Sequence, residues 1–321
     1  MQNRTVALTL VLVLVGCCII LSPDTPMTLP FVAPLPVQPA TPVQPTLVLR
    51  TVMQQIAKPR EYGSVANRQV QTYLETQMRT LKLNVTRQPF QRNSYVWSRR
   101  DMINSPPPQP MLVKRTCTNI IGTRVGTTPK TIIIGSHFDS VANTPGADDN
   151  ASGTAVNLLL AESLSQQKLT HTIKHIFFDC EEEGLIGSNY YVANTKERCV
   201  FMINLDMIGH VATQVEQTPD ESLSRVFQTY PWARAISYRD NASPIGRGSD
   251  QASFVARGVP CLWIFTGLHD KYHEPTDTID TLNLKGMEKV RQYLTALILD
   301  FDKSGKVQGI ETLKPASDYK P

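Results

Sequence analysis

No face of this sequence is strongly charged: 32 basic residues stand against 28 acidic ones in 321, and the net charge of +4 is spread along the chain. Nucleic-acid binding, which rests on a concentrated basic surface, is therefore not implied. Internal repeats are absent, so one domain suffices for the folded part. The six cysteines contain no Cys-x-x-Cys spacing. Two of them, Cys17 and Cys18, belong to the leader. The other four are Cys117, Cys180, Cys199 and Cys261, and an exported domain could pair one couple of them, although spacing does not say which. Cys180 closes an apolar run and reads as a small buried hydrophobe. At 41% hydrophobic and 19% charged, the remaining composition is that of an ordinary globular chain.

Charge is missing altogether from Val11 to Leu21, inside an apolar run that begins at Val6 just after Arg4. That length suits a signal or anchor segment, 1–22, and implies export or membrane attachment. Leu14-Val15-Gly16-Cys17 resembles the lipobox of bacterial lipoproteins, but the residues that follow, Cys18 to Leu21, remain apolar. An uncleaved anchor helix fits that departure better, with lipoprotein and cleaved signal as the other readings. Eight prolines between Pro23 and Pro45 then favour an extended, semi-rigid spacer, 23–45, that would hold an extracytoplasmic domain away from the membrane.

The folded domain is expected over 46–304, followed by a polar tail, 305–321. Leu47 to Ile56 and Ala66 to Leu81 read as amphipathic helices. Leu83 to Thr86 and Leu112 to Ile121 read as strands around a polar loop holding Pro106, Pro107 and Pro108. Beyond these, apolar runs ending near His137, Glu181 and Asp206 alternate with helices over Ala151 to Leu164 and Gly184 to Ala193. A helix near Gln251 to Ala256, a strand over Pro260 to Phe265 and a closing helix from Leu284 to Phe301 complete the pattern. Such alternation predicts an α/β fold with a mostly parallel central sheet and helices on both faces.

Parallel sheets gather functional groups at the carboxyl ends of their strands. Three runs here deliver candidate metal ligands to that edge: Thr131 to Ile134 before His137, His175 to Phe178 before Glu182, and Val200 to Asn204 before Asp206. Asp149 lies in the turn-like Pro145 to Asn150 segment, and His273 lies in Tyr272-His273-Glu274-Pro275. Two imidazoles and three carboxylates form a nitrogen-and-oxygen set suited to two zinc ions that share one carboxylate and keep a position open for water. Glu181, Glu182 and Glu183 could instead be a solvated acidic run. Such runs usually lie on exposed helix faces, whereas this one closely follows a core strand.

In motif order from Thr131 to Phe301, these segments resemble the co-catalytic di-zinc aminopeptidases, a family with glutamate carboxypeptidase, glutaminyl cyclases and transferrin receptors as more distant members. The resemblance implies a single catalytic domain of zinc-exopeptidase type. It makes Asp149 the bridging ligand, with Asp148 as the alternative. His137 and Asp206 would complete one site, and Glu182 and His273 the other. Asp139 would accept the second N–H of the His137 imidazole and fix its tautomer. Glu181 would act as general base toward a metal-bridging water, and Tyr272 would donate to the oxyanion or simply pack beside His273. The loop Gly246 to Gln251 departs from the family, since Gln251 stands where a histidine is usual. His171, His175 and His210 are not expected to be ligands, and His269 is a second choice. The implied activity is zinc-dependent removal of amino-terminal residues from peptides. A glutaminyl cyclase with a single zinc and a carboxypeptidase of the same family are the other readings.

Overall fold

Seven strands in the order β1-β2-β4-β3-β5-β7-β6 form one sheet. In chain order they are β1 (Asn84–Trp97), β2 (Pro110–Arg124), β3 (Lys130–His137), β4 (Thr172–Phe178), β5 (Arg198–Leu205), β6 (Ser237–Tyr238) and β7 (Cys261–Phe265). The computed structural model describes residues 48–97, 110–211, 237–238 and 248–305. The expected anchor, the proline spacer, the loop around Pro106 to Pro108, Gly246 and Arg247, and the tail beyond 305 lie outside the described residues. All described residues fall in one compact unit. No helix among them is long and apolar enough to cross a membrane.

The parallel character expected from the sequence is carried by the four central strands, β4-β3-β5-β7. Both flanks are antiparallel, β1 and β2 on one side and β6 on the other. Periodicity within β3 explains why the centre is covered twice. Ile132 and Ile134 join the apolar cluster on one face, whereas Ile133 between them joins the cluster on the other. The first face carries α1 (Leu49–Ile56), α2 (Val65–Thr80), α3 (Gly153–Leu164) and α6 (Leu284–Ser304). The second carries α4 (Ile186–Asn194) and α5 (Gln251–Val255) through Tyr191, Val192 and Phe254. Each such isoleucine, fully removed from water, contributes roughly 1.5–3 kcal/mol.

Helix α3 is buried on nearly every side, which is why its sequence is apolar all round rather than striped. It does not begin at Ala151 as the sequence suggests. A π-helical turn over Ala147–Ser152 precedes it, with non-helical backbone at Asp149 and Asn150. Gly153 permits its approach to the sheet, because a Cβ there would lie 2.3 Å from the Leu205 carbonyl oxygen. That contact brings the Asp149 turn against the residue preceding Asp206.

The β1–β2 hairpin extends past the body of the sheet. Strand β2 pairs with β4 only over Ile120 to Arg124, with Ile120 opposite Phe177. Its pairing with β1 continues to Trp97 opposite Pro110. Because β2 runs against β4, this free arm rises beyond the carboxyl end of β4, the edge to which Glu181 and Glu182 belong.

Candidate metal centre

The five predicted ligands converge at the carboxyl edge. His137 ends β3, Glu182 follows β4 and Asp206 follows β5, while Asp149 comes from the turn before α3 and His273 from the loop after β7. Asp149 sits between the two imidazoles. Its Oδ1 is 3.1 Å from His137 Nε2 and its Oδ2 is 3.1 Å from His273 Nε2. Asp206 Oδ1 lies 3.4 Å from His137 Nε2, and Glu182 Oε2 lies 3.2 Å from His273 Nε2. Asp149 thus stands between one group containing His137 and Asp206 and another containing Glu182 and His273. Glu181 approaches the first group, with Oε2 4.0 Å from His137 Nε2.

The electrostatics of the site test whether its residues suit a cation. Burial raises the pKa of Glu181 well above the ordinary range, with His137 opposing and Asp250 and Asp206 adding to the rise. Glu182 is pushed up to about 7 by burial and by Asp149, and Asp206 is also raised, chiefly by burial. Burial works against protonation of His137, but Glu181 and Asp206 carry its pKa well above the ordinary value. Asp149 goes the other way: its burial is overcome by hydrogen bonds from both imidazoles. Glu182 Oε1 and Asp206 Oδ1 are buried without a hydrogen-bond partner. Crowded carboxylates with free lone pairs are what divalent cations neutralise, so the donor set fits a divalent metal.

Asp139 serves the β4 turn as well as facing His137. Its Oδ1 is 3.5 Å from His137 Nδ1, at the outer limit of a hydrogen bond. Its two oxygens also accept the backbone N–H groups of Glu181 at 3.2 Å and Glu182 at 3.3 Å. His137 Nδ1 itself has no hydrogen-bond partner among the described residues, so Asp139 holds the β4 turn and only approaches the imidazole. The Tyr272 ring stacks on His273 with centroids 3.7 Å apart. Its phenol is raised by burial and by Asp149 and Glu182, so it remains a hydrogen-bond donor.

The other histidines are accounted for. Lys271 N–H donates to His269 Nδ1 at 3.1 Å, which leaves the ring proton on Nε2, 3.0 Å from Asp148 Oδ2. His269 therefore donates to Asp148 instead of offering Nε2 to a metal. Asp148 also accepts Gly209 N–H at 2.6 Å. The His210 ring lies tilted against His269 with centroids 4.1 Å apart, its buried Nε2 4.0 Å from Asp148 Oδ2 and without a hydrogen-bond partner. His175 meets Asn157 Oδ1 at 2.9 Å beneath the sheet, and His171 meets Asp302 at 3.0 Å. Gln251 accepts from Asn204 Nδ2 at 2.8 Å, an anchor for the end of β5.

Several contributors carry no sequence signal. Arg60, fully buried, donates from Nε to Phe138 O at 2.5 Å, from Nη1 to Pro145 O at 2.5 Å and from Nη2 to Gly146 O at 3.0 Å. It clamps the backbone between His137 and Asp149. Asp277 accepts the N–H groups of Asp148 and Asp149 at 2.8 and 3.1 Å. The expectation for Cys180 is corrected, since it forms a disulfide with Cys117, its partner lying on the hairpin arm that rises past β4. Cys199 and Cys261 are free.

A carboxyl-edge pair of such groups on a sheet of this topology defines a metallohydrolase-type centre. The model of peptidase family M28 matches residues 119–298, and the chain belongs to that family. It is 28% identical over 211 residues to aminopeptidase YwaD of Bacillus subtilis, an alignment covering 60% of this chain and 46% of YwaD. The chain thus spans about half the length of that relative. Its fold is shared with a zinc aminopeptidase from Bacillus subtilis, at a TM-score of 0.63 and 19% identity over 83% of this chain and 98% of the other. It is shared also with a glutaminyl cyclase from Porphyromonas gingivalis, at a TM-score of 0.60 and 22% identity over 78% and 96%.

Proposed function

We propose that this protein is a zinc-dependent exopeptidase that removes amino-terminal residues from peptides, with two zinc ions per chain. The observation that carries the reading is Asp149, whose two oxygens each face a different imidazole at 3.1 Å. A carboxylate presented in this way is suited to bridging two ions. A cyclase reading with one zinc leaves half of that arrangement without a purpose. His137 and Asp206 would hold one ion, Glu182 and His273 the other.

Bound zinc supplies polarisation of the scissile carbonyl and acidifies the attacking water. Glu181 takes the proton of that water and passes it to the departing amine. Asp139 keeps Glu181 and Glu182 in their separate directions through the two backbone N–H groups it accepts. Tyr272 donates its phenol to the developing oxyanion. The carboxylates crowded at the site also provide partners for the free α-amine, which an exopeptidase must recognise. Export and attachment through the amino-terminal segment complete the proposal, supported by the uncharged run Val11 to Leu21.

Zinc content per chain, measured with cleavage of a blocked and an unblocked peptide, tests the reading. Two zincs and cleavage of the unblocked peptide alone are expected. One zinc with cyclised product would replace it by the cyclase, and release of the carboxyl-terminal residue would replace it by a carboxypeptidase. Glu181→Gln should keep both ions and lose turnover; full activity in that variant would refute the role given to Glu181.

A further inference from the structure

We propose that the Cys117–Cys180 disulfide is a positioning device for Glu181 and Glu182, so that the site is competent only in the oxidised chain. The proposal rests on the peptidase reading above and deepens it. Cys180 is the residue immediately before Glu181, and its φ of 60° lies in the left-handed region that residues other than glycine rarely hold. The direction in which the chain leaves β4 is set there. Glu181 is thereby sent toward His137 and Glu182 toward His273. A relaxed backbone at Cys180 would swing both carboxylates.

The non-covalent restraints on this turn are hydrogen bonds: the Glu181 carbonyl accepts from Gly184 and Leu185 N–H at 2.8 Å, the Cys180 carbonyl accepts from Ile186 N–H at 3.1 Å, and carboxylates hold the N–H groups. Asp139 accepts from Glu181 and Glu182 at 3.2 and 3.3 Å, and Asp179 Oδ1 accepts from Cys180 N at 3.1 Å. The disulfide adds a covalent one from outside the parallel sheet. Cys117 lies on the hairpin arm, before β2 begins to pair with β4 at Ile120. The arm meets the same turn through Arg92 and Glu183 at 3.4 Å, and the helix that follows it, α4, through Phe90 stacked on Tyr190 at 5.0 Å. Both sulfur-bearing residues are fully buried beside Tyr62 and Phe90, so the bond is made as the chain folds and is then shielded from solvent. Its closure by thiol–disulfide exchange passes two electrons and two protons to a small-molecule or protein disulfide, which leaves as two thiols.

A bond that merely stabilised the fold would change the folded fraction and leave each folded molecule fully active. The test compares the full-length wild type with C117A/C180A and C117A/C180G. It measures thermal melting, retention of zinc in dialysis, and kcat and KM on an unblocked aminoacyl anilide. The alanine pair should lose about 10- to 100-fold in kcat per folded molecule with KM little changed, and should release zinc more readily. The glycine pair, able to hold φ of 60° untethered, should recover part of the loss. Wild-type kcat per folded molecule in the alanine pair would overturn the proposal, as would an equal loss in both pairs.

If the alanine pair does not fold, the wild type is reduced with a water-soluble phosphine in excess zinc, in urea below the unfolding midpoint so that the shielded bond opens, until two new thiols per chain are titrated. Disulfide, phosphine and water become two thiols and the phosphine oxide. Activity that falls as thiols appear, with circular dichroism unchanged, supports positioning. Activity that persists, or that falls only as the fold is lost, overturns it. A wild type that binds zinc but cleaves no peptide would refute the peptidase reading separately, and the zinc-retention comparison would then decide the positioning claim.

Discussion

Arg60 is where the centre is most exposed to a single substitution. Its guanidinium serves the carbonyls of Phe138, Pro145 and Gly146 from a fully buried position. Burial lowers its pKa to about 10, with Asp139 and Asp149 pulling the other way, so it stays charged at neutral pH. Arg60→Met would remove the donors and leave those carbonyls in a dry interior. At roughly 1–3 kcal/mol for each orphaned group, the loss is on the order of 3–9 kcal/mol. That approaches the whole stability of an ordinary domain, about 5–15 kcal/mol, so the methionine variant should be largely unfolded. Arg60→Lys keeps the charge but replaces a planar fork by a point charge with three donors, and should cost roughly 1–3 kcal/mol. Thermal melting of the zinc-loaded protein should then shift down by roughly 2–12 °C. Zinc should dissociate faster, because the clamped segment joins His137 to Asp149. A methionine variant that melts within about 2 °C of the wild type and hydrolyses peptide at its rate would refute the account.

Three of the five candidate ligands stand where local pattern can locate them. His137, Glu182 and Asp206 follow apolar runs that can hardly be anything but strands, and parallel strands put their ends together. Asp149 and His273 came from motif resemblance, since the turn before α3 and the loop after β7 have no period to read. What escaped was everything that depends on a distant partner. Arg60 and its carbonyl partners Phe138, Pro145 and Gly146 are 78 to 86 residues apart, and Asp277 is 129 residues from Asp148. Cys180 was legible as buried, but its pairing depended on the hairpin arm, whose overrun beyond β4 follows from register and not from composition. The positions of the antiparallel flanks within a mostly parallel sheet leave no mark in the sequence for a related reason: a half-buried strand alternates in the same way whichever direction its neighbour runs.

Four further substitutions probe different levels of the structure. Gly153→Ala would press a Cβ to 2.3 Å from the Leu205 carbonyl, forcing α3 from β5 and parting Asp149 from Asp206. Zinc titration should show weakened binding, and unchanged affinity would mean that the helix start yields freely. Asp149→Asn, which keeps shape but removes the bridging charge, should lose both ions where His273→Gln loses one, as read by metal content after dialysis. His175 tests the interior away from the metals. Burial lowers its pKa to about 3 against the opposing hydrogen bond with Asn157, so the folded protein keeps it neutral while the unfolded chain protonates near its ordinary 6.5. Its contribution is fully present above pH 6.5 and is lost as pH falls from there toward 3, up to about 5 kcal/mol in all. In urea unfolding at stepped pH, His175→Gln should flatten the decline between about pH 6.5 and 4. An equally steep decline in that variant would mean that other groups carry the acid sensitivity.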